Sequence, residues 1–318
     1  MSLNHAQTEA VAHNKGPCMV LAGPGSGKTL TIAKRIEHKV RPEEILVITF
    51  TKYAAWEMKN RTRSICGPSS YAVTFGTFHG IYYGILKWAY RLNQSNLLSD
   101  EEKYRILREI LPGIDWDQEP EADEEKDYLQ ELAIEIGNVK NNCMDIEEYE
   151  PVKYTTEKFR KLYRTYEETK KKYRKIDFED MLIQCRDLFM KRPDILKKWQ
   201  EKFQYILVDE FQDVNQAQYD VVRMLAAPQD NLFVVGDDDQ SVYGFRGAKP
   251  GIMMEFMKDY PKARQILLDV NYRSSGYIVK GALRVIGNNK IRFEKKIEAF
   301  REPDETVHVQ EVKDPVQE

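Results

Sequence analysis

The chain has 318 residues, enough for one large domain or two, and its 42% apolar content can bury a real core. Its formal net charge of −3 excludes a globally basic surface, so any contact with nucleic acid has to be local. Cys18, Cys66, Cys143 and Cys185 lie far apart without a C-x-x-C pair, which argues against a zinc centre or a disulfide framework. With no apolar run of about 18 residues and a polar N-terminus, MSLNHAQTEA, the expectation is a soluble cytoplasmic protein without a membrane span or signal peptide.

Short, mostly β-branched apolar runs predict strands at 18–22 (CMVLA), 45–50 (ILVITF), 71–75 (YAVTF), 205–209 (YILVD), 232–236 (LFVVG) and 266–270 (ILLDV). Runs apolar on both faces suit a parallel sheet covered by helices. Helical patterns such as TLTIAKRIEHKV and KYAAWEMKNRTRSI alternate with them, which reads as an α/β doubly wound domain. Between residues 85 and 195 the strand signal stops. EEKYRILREIL, DYLQELAIEIGNVK and KFRKLYRTYEETKKKYRK are helical in pattern, and DQEPEADEEKD (117–127) reads as a solvated acidic loop. This stretch is expected to be a helical insertion into a discontinuous domain formed by 1–84 and 196–270. The basic part of it, 158–175, reads as a solvated helix face with its tyrosines on the core side, ahead of a nucleic-acid surface. After residue 270 come a helix, SSGYIVKGALRVIGN, and a possible strand, VHVQEV. One helix and one strand make a poor domain, so 271–318 is expected to be the start of a further, incomplete domain, and the chain a truncated form.

AGPGSGKT (22–29) follows an apolar run and precedes a helical pattern, the context a phosphate-binding loop requires. Gly25 and Gly27 allow a tight turn that aims N–H groups at phosphate oxygens, and the next helix offers its positive N-terminus. Lys28 suits β- and γ-phosphates, and Thr29 suits Mg²⁺. Ala22 stands where the pattern has Gly, with Gly23 beside it; Pro24 and Ser26 complete the loop. A chance glycine-rich turn is the competing reading.

In YILVDEFQDVNQAQ (205–218) a strand runs into two carboxylates. Asp209 stands where a Mg²⁺-holding carboxylate belongs, and Glu210 is placed to orient or deprotonate a water. The bland alternative is a capped helix start. Further on, VVGDDDQSVYGFRGAKPG (234–251) puts Asp237, Asp238, Asp239 and Gln240 beside Tyr243, Phe245 and Arg246. An amide can bond a phosphate oxygen without adding charge beside carboxylates, and aromatic faces accept any base. Core packing of the two rings is the competing reading.

Together these motifs resemble the UvrD/Rep family of superfamily-one DNA helicases, in the family's order and over nearly the whole chain. LNHAQTEAV (3–11) resembles its adenine-reading motif, AGPGSGKT its first motif, ITFTKYAAWEMKNR (48–61) and GTFHG (76–80) its DNA-touching motifs. IDFEDML (176–182) is similar to a segment late in its insertion. VDEFQDVNQAQ, GDDDQSVYGFRGA (236–248) and LLDVNYRSS (267–275) resemble its next three motifs. The resemblance implies a RecA-like P-loop NTPase fold, ATP and Mg²⁺ as cofactors, and an ATP-hydrolysing DNA helicase of the DNA-repair class. Its partners would be single-stranded DNA and duplex junctions, with 3′-to-5′ movement. Gln7 would contact adenine, Gln240 would sense the γ-phosphate, Tyr272 would pack on the adenine, and Arg273 would act as an arginine finger. Phe50, Thr51, Lys52, Thr77, Phe78 and His79 would line the DNA path, with Tyr243 and Phe245 stacking on bases beside Arg246. His79 is read there in preference to a metal-ligand role.

Three departures stand out. Lys52-Tyr53 replaces the family's usual Asn-Lys, Leu30 replaces the Arg that often follows GKT, and nothing after residue 275 resembles the later motifs. Two further readings stay open: the motor part of a helicase–nuclease subunit, and a one-lobe, nucleotide-gated DNA-binding module.

Overall fold

The computed structural model describes residues 2–37, 40–114, 125–241, 244, 249, 251–290 and 292–303. A six-stranded, all-parallel sheet in the order β3-β2-β4-β5-β1-β6 forms its centre. The strands are β1 (Cys18–Ala22), β2 (Ile45–Thr49), β3 (Thr74–Thr77), β4 (Tyr205–Val208), β5 (Leu232–Gly236) and β6 (Arg264–Leu268). Alternation along each strand divides its side chains between two cores. Met19, Leu21, Leu46, Ile48, Ile206, Val208, Leu232 and Val234 face one. Cys18, Val20, Ile45, Val47, Leu207, Phe233 and Val235 face the other. Burial on both faces is why these strands read as continuous apolar runs rather than alternating ones.

Helices α1 (His5–Ala12), α2 (Lys28–Ile36) and α3 (Lys52–Cys66) cover the second face, contributing Ala10, Ile32, Ile36 and Met58. The first face is covered by α4 (Phe78–Tyr90) and by helices from later in the chain. Between them lie α5 (Asp100–Ile110), α6 (Glu125–Asn141) and α7 (Thr156–Lys172), whose buried residues make a third core containing Leu107, Leu132, Phe159, Leu162 and Tyr166. Helices α8 (Phe178–Lys191) and α9 (Pro193–Lys202) return to the sheet: Leu182, Cys185, Leu188, Phe189 and Ile195 pack in its first core. The same layer is completed by α10 (Gln216–Ala226) and α11 (Gly251–Asp259).

The helical stretch is tied together by buried charge. Lys140 Nζ lies 2.8 Å from Asp177 Oδ2 and 2.7 Å from Asp180 Oδ1, and Lys170 Nζ lies 2.7 and 2.5 Å from the same two carboxylates. Glu167 Oε1 meets both ammonium groups, and Tyr166 donates to Asp177 at 3.1 Å. Burial opposes the charge on Asp177, but Lys140, Lys170 and Lys103 hold its carboxyl well below the usual carboxylate range. IDFEDML thus gains a structural role: Asp177 caps α8 and clamps α6 and α7 against it. Lys170 departs from the solvated-face reading of 158–175, being 1% exposed, while the tyrosine expectation fits Tyr166, which is fully buried.

Two boundaries differ from the sequence expectation. Residues Gly67–Ala72 form a 3₁₀ turn, so the third strand starts at Thr74. The segment after β6 continues as a strand, β7 (Val270–Ser275), before α12 (Gly276–Ile286), and pairs in parallel with β8 (Glu298–Arg301) as a separate two-stranded sheet. VHVQEV and residues 117–124 of the acidic loop lie outside the described residues, and 125–127 open α6. Among the described residues no helix is long and apolar enough to cross a membrane.

Candidate nucleotide and nucleic-acid site

The loops that leave β1, β4 and β5 meet at the carboxyl edge of the sheet, where parallel α/β sheets bind ligands. A cleft of about 370 Å³ opens there. Its walls include Pro24, Gly25, Ser26, Gly27, Lys28, Thr29, Glu210, Gln240, Tyr272 and Arg273, which four separate sequence motifs supply. Ala22 is buried as the last residue of β1, and Gly23 accepts from Ser26 Oγ at 2.7 Å. Gly25 and Gly27 take positive φ of 69° and 86°. At Gly25 a Cβ would also come within 2.6 Å of Arg273 Cβ, so the loop and the β7 segment need glycine to approach this closely. Tyr272 N donates to Gly25 O at 3.0 Å and fixes that approach.

Lys28 Nζ is held 2.9 Å from Glu210 Oε2. Glu210 has φ 50° and ψ 48°, a left-handed conformation that is costly for a residue with a side chain and that turns it out of β4 into the cleft. Its carboxylate also accepts from Gln212 Nε2 at 2.8 Å. The other end of the Gln212 amide accepts from Asp237 N at 3.0 Å. Asp237 Oδ2 in turn accepts from Gln240 Nε2 at 2.6 Å. A continuous relay therefore runs Lys28–Glu210–Gln212–Asp237–Gln240, across the ends of β4 and β5. Gln212 was not singled out from the sequence; its place in VDEFQD beside the strand end was the available signal.

Asp209 is 8% exposed, and among the described residues its Oδ1 has no hydrogen-bond partner. Burial first, and Glu210 beside it second, push its carboxyl up to about 7, against the pull of Lys28. A buried carboxylate oxygen without a partner is costly unless a cation meets it, so the donor set fits a divalent ion held with Thr29.

The three consecutive carboxylates are not free for a ligand. Lys295 Nζ sits 2.5, 2.6 and 2.7 Å from Asp237, Asp238 and Asp239. Arg292 makes two bonds to Asp239, at 2.8 and 2.6 Å, and Phe293 N donates to Asp238 Oδ2 at 2.8 Å. Burial works against the Lys295 charge, yet its hydrogen bonds to the three carboxylates raise its proton affinity above the ordinary lysine value. No local pattern in the sequence announces this clasp, which spans more than fifty residues.

Gln7 is 3% exposed, and both ends of its amide are engaged: Nε2 donates to Ser26 O at 2.9 Å, and Oε1 accepts from Asn4 N at 3.0 Å. It braces the phosphate loop from α1. Asn4 donates to the Tyr272 hydroxyl at 2.9 Å and so joins the first and last of these motifs. Arg61, absent from the expected set, also lines the cleft, and Leu30 stands there as an apolar wall.

A second cavity, about 440 Å³, lies between the sheet edge and α6 and α8. Phe50, Phe78 and His79 reach it, with Phe178 and Lys103 opposite. The His79 ring meets Phe178 edge-on at 5.7 Å. Burial lowers the His79 pKa, with Glu179 pulling the other way. Phe78 is 2% exposed and serves the core as well. Thr51 and Thr77 act first as helix caps, accepting from Ala54 N at 3.0 Å and Gly80 N at 3.1 Å, and Lys52 is exposed at the first turn of α3. Tyr243, Phe245 and Arg246 lie outside the described residues.

Comparison with known proteins fits this arrangement. YjcD of Bacillus subtilis (strain 168), named provisionally as an ATP-dependent DNA helicase, is 40% identical over 318 residues, covering 95% of this chain and 40% of that protein. The ATP-dependent DNA helicase PcrA of the same strain is 38% identical, covering 96% of this chain and 42% of PcrA. PcrA of Staphylococcus aureus (strain Mu50) is 35% identical, covering 97% and 43%. The chain thus spans about 40% of the length of these relatives. With the UvrD/REP helicase N-terminal domain matching residues 3–261, across the phosphate loop, the acidic strand end and the Gln240 turn, the chain belongs to the UvrD/REP helicase family.

Proposed function

We propose that this chain is the nucleotide-binding part of an ATP-driven DNA translocase and helicase. In this reading 1–84 and 196–270 form the motor lobe, 85–195 its helical insertion, and 271–318 the beginning of a second lobe. The observation that carries the reading is the relay from Lys28 to Gln240, because it joins the phosphate end of the cleft to the loop that leads towards Tyr243, Phe245 and Arg246.

ATP would seat its phosphates on the N–H groups between Gly25 and Thr29. Lys28 would leave Glu210 for the β- and γ-phosphates, and Glu210 would then be free to take a proton from the attacking water. Arg273, across the cleft, would offset charge that develops on the γ-phosphate. Thr29 and Asp209 would hold Mg²⁺, which supplies charge neutralisation at the phosphates. Gln240 now bonds Asp237; a γ-phosphate offers its amide a second acceptor. Exchange between those two acceptors would shift the aromatic loop. Single-stranded DNA would cross the carboxyl edge of the sheet past Phe50, Thr51, Lys52, Thr77 and His79, and duplex junctions would be met during 3′-to-5′ movement. A cytoplasmic protein fits this role.

The test is steady-state ATP hydrolysis and fluorescent-ATP binding by this chain, with and without single-stranded DNA. Lys28→Ala should weaken Mg²⁺–ATP binding at least about tenfold, the scale of one lost charge-assisted contact. Equal binding by the wild type and Lys28→Ala would sink the reading. Stimulation of Lys28-dependent turnover by DNA would show that coupling needs no second lobe.

A further inference from the structure

Helix α3 displays an aromatic stripe that the nucleotide cleft does not use. Tyr53 is 69% exposed, Trp56 60% and Tyr71, just beyond the helix, 61%. Single exposed aromatics are ordinary, but two exposed rings in contact, Tyr53 and Trp56, point to an interaction surface. Tyr53 and Trp56 are three residues apart, which puts them on one face of the helix. Their ring centroids lie 5.9 Å apart, with planes inclined by 33°. Arg63 continues that face and lies 4.7 Å over the Tyr71 ring.

The charge around the rings decides what the surface fits. Apart from Arg61, which faces the nucleotide cleft, helix α3 carries Lys52, Lys59 and Arg63 against one anion, Glu57, on a chain whose formal net charge is −3. Lysine is depleted from the cores of protein–protein interfaces, whereas open aromatic faces among cations suit stacked bases and their phosphates. Position agrees: α3 leaves the carboxyl edge of β2 directly after Phe50 and Thr51.

We propose that Tyr53 and Trp56 form a base-stacking platform for single-stranded DNA, extending the strand's path from the sheet edge onto the outer face of α3. This deepens the proposed function and rests on it. Bases would lie on the two rings without sequence preference, and Lys52 and Lys59 would meet the phosphates.

The test uses this chain and a fluorescein-labelled oligo-dT, with affinity read by anisotropy over a range of salt. Tyr53→Ala/Trp56→Ala should weaken binding about thirtyfold, the low end for two lost stacking contacts. Tyr53→Phe/Trp56→Phe should recover to within about threefold, because the ring faces remain. The slope of log affinity against log salt should be unchanged, since no phosphate contact is lost. Unaltered thermal unfolding by circular dichroism checks that both variants fold. If the alanine pair binds like the wild type, or the phenylalanine pair binds as weakly as the alanine pair, the platform is overturned while the proposed function stands. If the wild-type chain itself does not bind oligo-dT, the proposed function falls and takes the platform with it.

Discussion

The Lys295 ammonium lies 2.5 Å from Asp237 Oδ1, and the lysine side chain is 1% exposed. One cation from the segment after α12 thus bridges all three carboxylates of the turn that presents Gln240. Replacing it with methionine would leave three neighbouring carboxylates with Arg292 as their one paired cation among the described residues. Lys295→Met is expected to cost about 3–5 kcal/mol, the range for breaking a buried pair from one side. Urea unfolding measures it. Adding Asp237→Asn should restore part of the loss, and a strictly additive double variant would contradict the clasp.

The insertion network makes a parallel case. Lys170→Met should cost about 3–5 kcal/mol, because of the two lysines that bridge Asp177 and Asp180 among the described residues Lys140 alone would remain. A loss near that of an exposed lysine, under about 0.5 kcal/mol, would contradict its burial.

Acid should expose the same network. The folded-state pKa of Asp177 is depressed, so its contribution is fully present above the unfolded value of about 4 and is lost as pH falls through the folded one. Stability measured by urea unfolding below about pH 4 should therefore fall less steeply in Asp177→Asn than in the wild type. Parallel pH profiles would refute the assignment.

Gln212→Ala would leave Asp237 N without its acceptor and Glu210 without one donor. A loss of about 1–3 kcal/mol in stability is expected by thermal melting, the cost of an unsatisfied buried group. If the relay couples the cleft to the Gln240 turn, ATP turnover should fall more than ATP binding.

Gly25→Ala combines a positive φ with a contact of 2.6 Å to Arg273 Cβ. The two effects together should lower Mg²⁺–ATP affinity by more than tenfold, on the order of the 1–3 kcal/mol of a strained backbone residue plus the displaced arginine. Isothermal titration would measure it, and unchanged affinity would show that the loop can relax.

Local pattern carried the strands, the helices and the phosphate loop, because strands buried on both faces are apolar without interruption and GSGKT combines turn glycines with a cation. The family resemblance carried Gln240 and Arg273 to the same cleft, and the structure brings them within it. What sequence reading missed is long-range. Asp237, Asp238 and Asp239 were read only as the acidic neighbours of Gln240, because nothing nearby hints at Lys295. Lys170 read as solvated because its partners arrive from α6 and α8. The bond from Gln7 Nε2 to Ser26 O, which braces the phosphate loop, is likewise invisible in local pattern. Arg61 faces the cleft from the helix that also carries the exposed rings, and periodicity does not say which side of a helix a ligand will use.

Only Asp269 separates β6, the edge strand of the large sheet, from β7 in the small one. The matched family region stops at residue 261, before both. A polypeptide cut at that boundary would leave the outer edge of β1 unpaired, since β6 supplies its ladder there, and would strip Lys295 and Arg292 from the acidic turn. The unit that keeps these contacts is therefore longer than the region that the family match covers. Anyone dissecting this protein should place the cut beyond β8.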